Sequence, residues 1–289
     1  NLLDVVYLCQ LRQAWYQEYA KSIGEESRTF VGSAKTSYAP FRVAEAMRKQ
    51  LGLTIAQRLQ CRTWEEALRQ FVDKAENAGI LVMISGVVGS NNRRKLDPNE
   101  FRGFAMADKM APLVFTNAAD TKAAQMFTLA HELAHIWLGQ SALSDPLPVS
   151  AHKVEVWCNR VAAELLVPLA ALKTELGNED PHQAVARLAK AFKVSTPVIL
   201  RRLLDARAIP RTSFERMYDA EVRRFAARAR SSGGDFYLTQ AARLSRRFAL
   251  AIITSTLEGQ TLFRDALYLL GIRTERTFRE LGRELQVLP

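Results

Sequence analysis

Two histidines four residues apart, His131 and His135, flank Glu132-Leu133-Ala134 inside a run with helix signals at both ends. Residues at i and i+4 lie on one helix face, one turn apart. Both imidazoles can therefore reach a single tetrahedral cation at about 2.0–2.1 Å. The glutamate after the first histidine projects beside that face, where it meets a water rather than the metal, which is the physical content of H-E-x-x-H. The chain has only four histidines in 289 residues, so this spacing is rarely met by accident. The expected helix spans 121–138, with Asp120 as N-cap and Gly139 as the stop.

The surroundings of this helix set the fold class. Leu3, Val6, Tyr7, Leu11, Trp15 and Tyr19 recur at helical spacing over residues 2–20. A second helix is expected over 40–50, and a third after Thr63, whose spacing to Glu66 is that of a capping box. Three strand-like runs follow at 80–85, 101–106 and 112–115, the first two separated by a polar loop at 89–98. A loop over 141–150 and a helix over 151–167 come after the metal helix. The rest reads helical at 169–176, 182–192, 196–207, 213–230, 238–257, 261–270 and 275–284, with Ser231-Ser232-Gly233-Gly234 as a linker. The expected fold class is α+β: a small three-stranded sheet with the H-E-x-x-H helix, followed by an all-helical C-terminal region. The expected division is an N-terminal helix and linker (1–30), a core (31–176), a helix-turn-helix-like region (177–230) and a C-terminal helical module (235–289).

A hydrolytic zinc centre needs a third protein ligand and an open fourth position. Glu155 is the favoured ligand and Glu164 its rival. They stand nine residues apart, two and a half helical turns, so they face opposite sides and only one can serve. Asn159, one turn after Glu155, is placed to hydrogen-bond a ligand and hold it. Cys158 is three residues after Glu155 and is a candidate latency thiol for the fourth position, against the commoner role of a small buried hydrophobe. The 112–115 strand, which precedes the metal helix, is the expected site at which an extended substrate adds to the sheet.

Composition narrows the setting. Three widely spaced cysteines, an odd number, argue against a disulfide framework and fit a reducing, cytoplasmic location. No secretory pattern opens the chain. No apolar run reaches the roughly 18–20 residues of a membrane helix, so no membrane partner is expected. Residues 201–289 hold 17 Arg, no Lys and 10 carboxylates, which is +7 of the formal +10. Such a region attracts nucleic acid or an acidic protein, or forms a solvated surface of paired charges. Residues 180–207, with Arg201 and Arg202 on the second helix, have helix-turn-helix character.

The motifs Phe127-Thr-Leu-Ala-His131-Glu132-Leu-Ala-His135 and Glu155-Val-Trp-Cys-Asn159-Arg-Val-Ala-Ala-Glu-Leu-Leu-Val-Pro168 together resemble the ImmA/IrrE family of metallopeptidases. Val167 stands where the family usually has Met, a change that touches packing. The resemblance covers roughly residues 40–170 and implies a zincin-like core. Its ligands would be His131, His135 and Glu155, holding Zn2+ or another divalent cation such as Mn2+, with Glu132 as catalytic base. It also implies a protein substrate, a helix-turn-helix repressor whose cleavage derepresses a stress-response, mobile-element or phage-defence operon. The competing expectation is a DNA-binding regulator with a structural or vestigial metal site, in which Glu132 would have no task.

Overall fold

The computed structural model describes residues 1–144, 153–228 and 243–288. The 231–234 linker lies outside these residues, as do parts of the 141–150 loop and the expected starts or ends of the 151–167, 213–230 and 238–257 helices. Helix α1 (Leu2–Ser22) buries Val5, Cys9, Arg12, Tyr16 and Ala20, a stripe of period three to four. Helix α2 (Pro40–Leu51) starts with proline in its first turn and ends at Gly52 in the left-handed region. Helix α3 (Ile55–Gln60), capped by Thr54, has no counterpart in the sequence reading. Helix α4 (Trp64–Asn77) begins at Thr63, whose hydroxyl accepts from the Glu66 amide at 3.1 Å. The Glu66 carboxylate returns to the amide of Arg62, one residue earlier than a capping box requires.

The strands are β1 (Leu81–Ser85), β2 (Val87–Val88), β3 (Asn91–Lys95), β4 (Gly103–Met106), β5 (Leu113–Asn117) and β6 (Ala142–Ser144). The main sheet has order β1-β5-β4-β6, with β1 and β5 parallel and the other pairs antiparallel. It thus has the three expected strands and a fourth, β6, in what the sequence suggested was loop. Strand β3 lies within the expected 89–98 loop and pairs with β2, just before it, as a separate hairpin. Both corrections have one cause: three residues, or the polar run Asn91–Lys95, carry no hydrophobic period, and pairing alone makes them strands. A further correction concerns β5. It pairs on both sides, with β1 and β4, so its backbone is not open to an added substrate strand.

Alternation along the strands divides the sheet between two cores. Val82, Ile84, Ala105 and Val114 pack with α2, α4 and α5 (Lys122–Leu138), and with α6 (Lys153–Leu166). The same core takes in α7 (Leu169–Leu176), α8 (Pro181–Phe192), α9 (Thr196–Asp205) and Phe214 of α10 (Arg211–Arg228). Leu81, Met83, Phe104, Met106, Leu113 and Phe115 face the opposite core. That core is built by α1 with α11 (Arg246–Leu257), α12 (Phe263–Leu270) and α13 (Glu275–Glu284). The first helix and the last three therefore close the back of the sheet together.

Several C-terminal arginines are paired along their own exposed helices: Arg211–Glu215, Arg224–Glu221, Arg276–Glu280 and Arg279–Glu275. Such solvent-screened pairs add little to stability. No helix among the described residues is long and apolar enough to cross a membrane.

Candidate metal centre

Helix α5 is buried along nearly its whole length, from Gln125 to Trp137. A helix that is apolar on most sides is a central helix, and α5 lies between the sheet and α6. Its true N-cap is Thr121, whose hydroxyl accepts from the Ala124 amide at 3.3 Å, while Asp120 accepts from the Thr121 amide. At its other end Gly139 adopts the left-handed conformation. There the amides of Gly32 and Ala34 donate to the carbonyls of Ile136 and Trp137. Phe30 stacks on Trp137 with ring centroids 4.5 Å apart.

Along this helix His131 and His135 lie one turn apart, both buried, with Nε2 atoms 3.1 Å from each other. Glu155, in the first turn of α6, places Oε2 3.1 Å from His131 Nε2 and Oε1 3.2 Å from His135 Nε2. The two Nε2 atoms and the two Glu155 oxygens thus converge in a triangle of side chains, with 3.1–3.2 Å between the imidazoles and from each imidazole to its own carboxylate oxygen. A tetrahedral cation with bonds of about 2.0–2.1 Å would set its ligands about 3.3 Å apart. The residues fit a divalent ion, and they are the one such group of His, Cys, Asp and Glu among the described residues. Hydrogen bonds from His131 and then His135 hold the Glu155 carboxyl below the usual carboxylate range. About a third of the Glu155 side chain is exposed, whereas both histidines are enclosed, so access to the triangle is from the Glu155 side. Glu164, the rival, is elsewhere, paired with Arg202.

Asn159 Oδ1 lies 3.0 Å from His131 Nδ1. As an acceptor it fixes the tautomer with Nδ1 protonated and directs the Nε2 lone pair into the triangle. His135 Nδ1 has no hydrogen-bond partner among the described residues, so no acceptor there fixes its tautomer as Asn159 does for His131. Glu132 is fully buried on α5, beside the ligands.

Gly103 escaped the sequence reading as a site residue. A Cβ there would stand 2.5 Å from Thr128 Cγ2, 2.6 Å from the Phe115 carbonyl and 3.3 Å from Glu132 Oε1. Only glycine lets α5 lie this close to β4. A glycine inside a strand is the signal for such close approach.

Of the two roles expected for Cys158, the structure favours the commoner, a small buried hydrophobe, over the latency thiol. Cys158 is fully buried in the apolar core and is not in the converging group. Burial, reinforced by the Glu155 and Glu132 carboxylates, pushes its thiol far up, so it packs as a neutral side chain. Arg202, beside Arg201 on the second helix of the stretch with helix-turn-helix character, is also buried. Arg201 stays outside, with its guanidinium 4.6 Å from the Phe214 ring centroid.

Comparison with known families fits this geometry. Residues 75–204, from the end of α4 through most of α9, match the model described as IrrE N-terminal-like domain, a peptidase family. Residues 244–284 match a domain of unknown function, DUF8813. No curated protein matches the chain.

Proposed function

Residues 75–204 make this chain an ImmA/IrrE family metallopeptidase, and from that premise we propose that it is a zinc-dependent endopeptidase cleaving a helix-turn-helix repressor. The observation that carries the reading is the triangle of His131, His135 and Glu155 with Glu132 buried beside it on the same helix. A divalent ion held there would supply Lewis acidity toward a scissile carbonyl and toward water. Glu132 takes the proton of the attacking water and passes it to the leaving amine. His131 is kept in the ligating tautomer by Asn159, and the burial of both imidazoles excludes bulk water from the enclosed side. The half-open Glu155 side admits the peptide.

The repressor as substrate follows from the ImmA/IrrE resemblance of the two motifs, as does derepression of a stress-response, mobile-element or phage-defence operon. A protease of one regulator needs binding energy away from its metal, and the helices behind the sheet, with the exposed arginines of α10 and α13, offer surface for it.

The test is incubation of the Zn2+-loaded protein with a purified helix-turn-helix regulator encoded by a neighbouring gene, followed by mass spectrometry of the fragments. Cleavage should cease with a chelator and return with Zn2+. Glu132→Gln should retain one ion by elemental analysis and lose at least about a hundredfold in kcat, in line with general-base catalysis. Cleavage by Glu132→Gln at the parental rate would sink the mechanism.

A further inference from the structure

Helix α6 ends against three guanidinium groups. The Glu164 carbonyl accepts from Arg48 Nη1 at 2.8 Å, the Leu166 carbonyl from Arg58 Nη1 at 3.1 Å, and the Val167 carbonyl from Arg202 Nε at 2.8 Å. These arginines come from three different helices, α2, α3 and α9. The last carbonyls of a helix have no partner within it, and a cation there also meets the negative end of the helix dipole. Pro168, which follows, has no N–H to continue the ladder.

Arg202 differs from the other two. It also pairs with the carboxylate of Glu164 on α6 itself, and its Nη1 bonds Asp205 at 3.0 Å. Arg202 and Glu164 are both nearly enclosed, so the pair is a fixed tether rather than a surface contact. Glu164 lies two and a half turns after Glu155, hence on the opposite side of α6 and about 13 Å along its axis. Arg202 thus holds the helix from behind while Glu155 reaches forward to the histidines.

Metal ligands must keep their distances to within about 0.2 Å. A carboxylate carried about 6 Å from a helix axis moves by about 1 Å when the helix turns by about 10°. The register of α6 therefore decides whether Glu155 ligates. We propose that Arg202 is a positioning residue for Glu155: its grip on Glu164 and on the Val167 carbonyl sets the rotation of α6 that completes the metal site. The inference rests on the metal-site reading above. It gives α9 a task in the peptidase centre, and the family match, which ends at residue 204, includes that helix.

The test compares Arg202→Met and Arg202→Lys with the parent and with Arg187→Met, which breaks an exposed pair with Glu179 in the same helical region. Zn2+ affinity is read by competition with a chromophoric chelator, and the thermal midpoint is read with and without metal. Arg202→Met should bind Zn2+ at least about tenfold more weakly, the usual effect of losing a group that orients a ligand. The increase in midpoint on adding Zn2+ should shrink with it. Arg202→Lys keeps the charge but not the fork, so it should fall between. Arg187→Met should leave affinity unchanged. A purely structural role would lower the midpoints of both forms equally and leave affinity within twofold of the parent, which would overturn the proposal. Should Arg202→Met fail to fold, parental Zn2+ affinity in Arg202→Lys would overturn it instead. Because affinity is read without substrate, a parent that binds Zn2+ but cleaves nothing would sink the repressor-protease reading and leave this test intact. A parent that binds no divalent ion would sink the metal site itself.

Discussion

The two helices that assemble the metal site are held in opposite ways. Helix α5, which carries His131, Glu132 and His135, is fixed by neutral contacts: apolar packing on nearly every side, and amides of Gly32 and Ala34 closing its end. Helix α6, which carries Glu155 and Asn159, buries an apolar face as well, but its C-terminal end is fixed by charge, with three guanidiniums on its last carbonyls and Glu164 paired to Arg202. Neutral packing tolerates little change of volume but is indifferent to ionisation. Buried charge is stable only while every partner stays, because one removed partner strands the other. The helix that must keep its depth against the sheet uses the first device, and the helix that must keep its rotation uses the second.

The neutral hydrogen bond between Asn159 and His131, which links the two helices at the site, is the place to break this division with the largest effect. Asn159 acts on His131 without charge, so Asn159→Ala should weaken Zn2+ binding by about 10- to 100-fold, the range for groups that orient a ligating histidine. Isothermal titration on the folded variant measures it. Asn159→Asp should recover much of the loss, since a carboxylate accepts the same Nδ1–H bond. Equal affinity of Asn159→Ala and the parent would mean that His131, like His135, needs no acceptor on its Nδ1, and the contrast between the helices would lose its meeting point.

A buried glutamate without an arginine shows what Arg202 does for Glu164. Glu76, on α4, is enclosed beside the Ser245 hydroxyl and the backbone amides of Val82 and Arg247, with Asp73 nearby. One of its carboxylate oxygens has no hydrogen-bond partner among the described residues. Burial pushes its carboxyl up to about 7. Below the unfolded value of 4.5 both states are protonated and the group costs nothing. As pH rises from there to about 7 the unfolded chain ionises first, so stability falls across that window and is flat above it. At 1.36 kcal/mol per unit the ceiling is about 3 kcal/mol, and relaxation around the ionised group leaves about 2 kcal/mol. Glu76→Gln should therefore gain about 2 kcal/mol over the parent at pH 8 and little at pH 4.5, by urea unfolding with the metal removed. Parallel pH profiles would show that Glu76 is already compensated when ionised.

The same contrast explains what the sequence revealed. Helix α5 was legible because its evidence is local: two histidines at i and i+4, a capping signal that Asp120 places one residue early, and Gly139 at the end. That only one of Glu155 and Glu164 could be a ligand was legible too, because a nine-residue separation turns one of them away, though the spacing does not say which. What holds α6 was not legible, since nothing local distinguishes the buried Arg202 from the exposed Arg201. Only the tertiary demand of three carbonyls for donors separates them. Cys158 was left between two roles for a related reason: three residues from Glu155 places it near the same face, but does not say which side of that face is core. The substrate-strand expectation for 112–115 failed because a short apolar run does not say whether its edges are taken. Strand β5 is buried throughout, the pattern of a central strand. Strands β3 and β6 carry no period at all, and their existence is a property of the partners.

The smallest expected effect tests the neutral half of the comparison at the end of α5. Gly139 has φ +69°, and a Cβ built on it would stand 2.9 Å from Gly32 Cα, a backbone atom that cannot swing aside. Gly24 has nearly the same φ, +71°, with nothing within 4 Å of the same position. Both Gly→Ala changes incur the left-handed strain of an L residue, roughly 1 kcal/mol. Gly139→Ala alone adds overpacking between α5 and the loop that closes it, typically about 1 kcal/mol or more. Gly139→Ala should thus lower the apo thermal midpoint by a few degrees more than Gly24→Ala. The Zn2+ affinity of its folded fraction should stay parental, because His131 and His135 sit on a helix whose packing against the sheet is untouched. Should affinity fall together with stability, the closing loop would be setting ligand geometry as well, and α5 would depend on its end as α6 depends on Arg202.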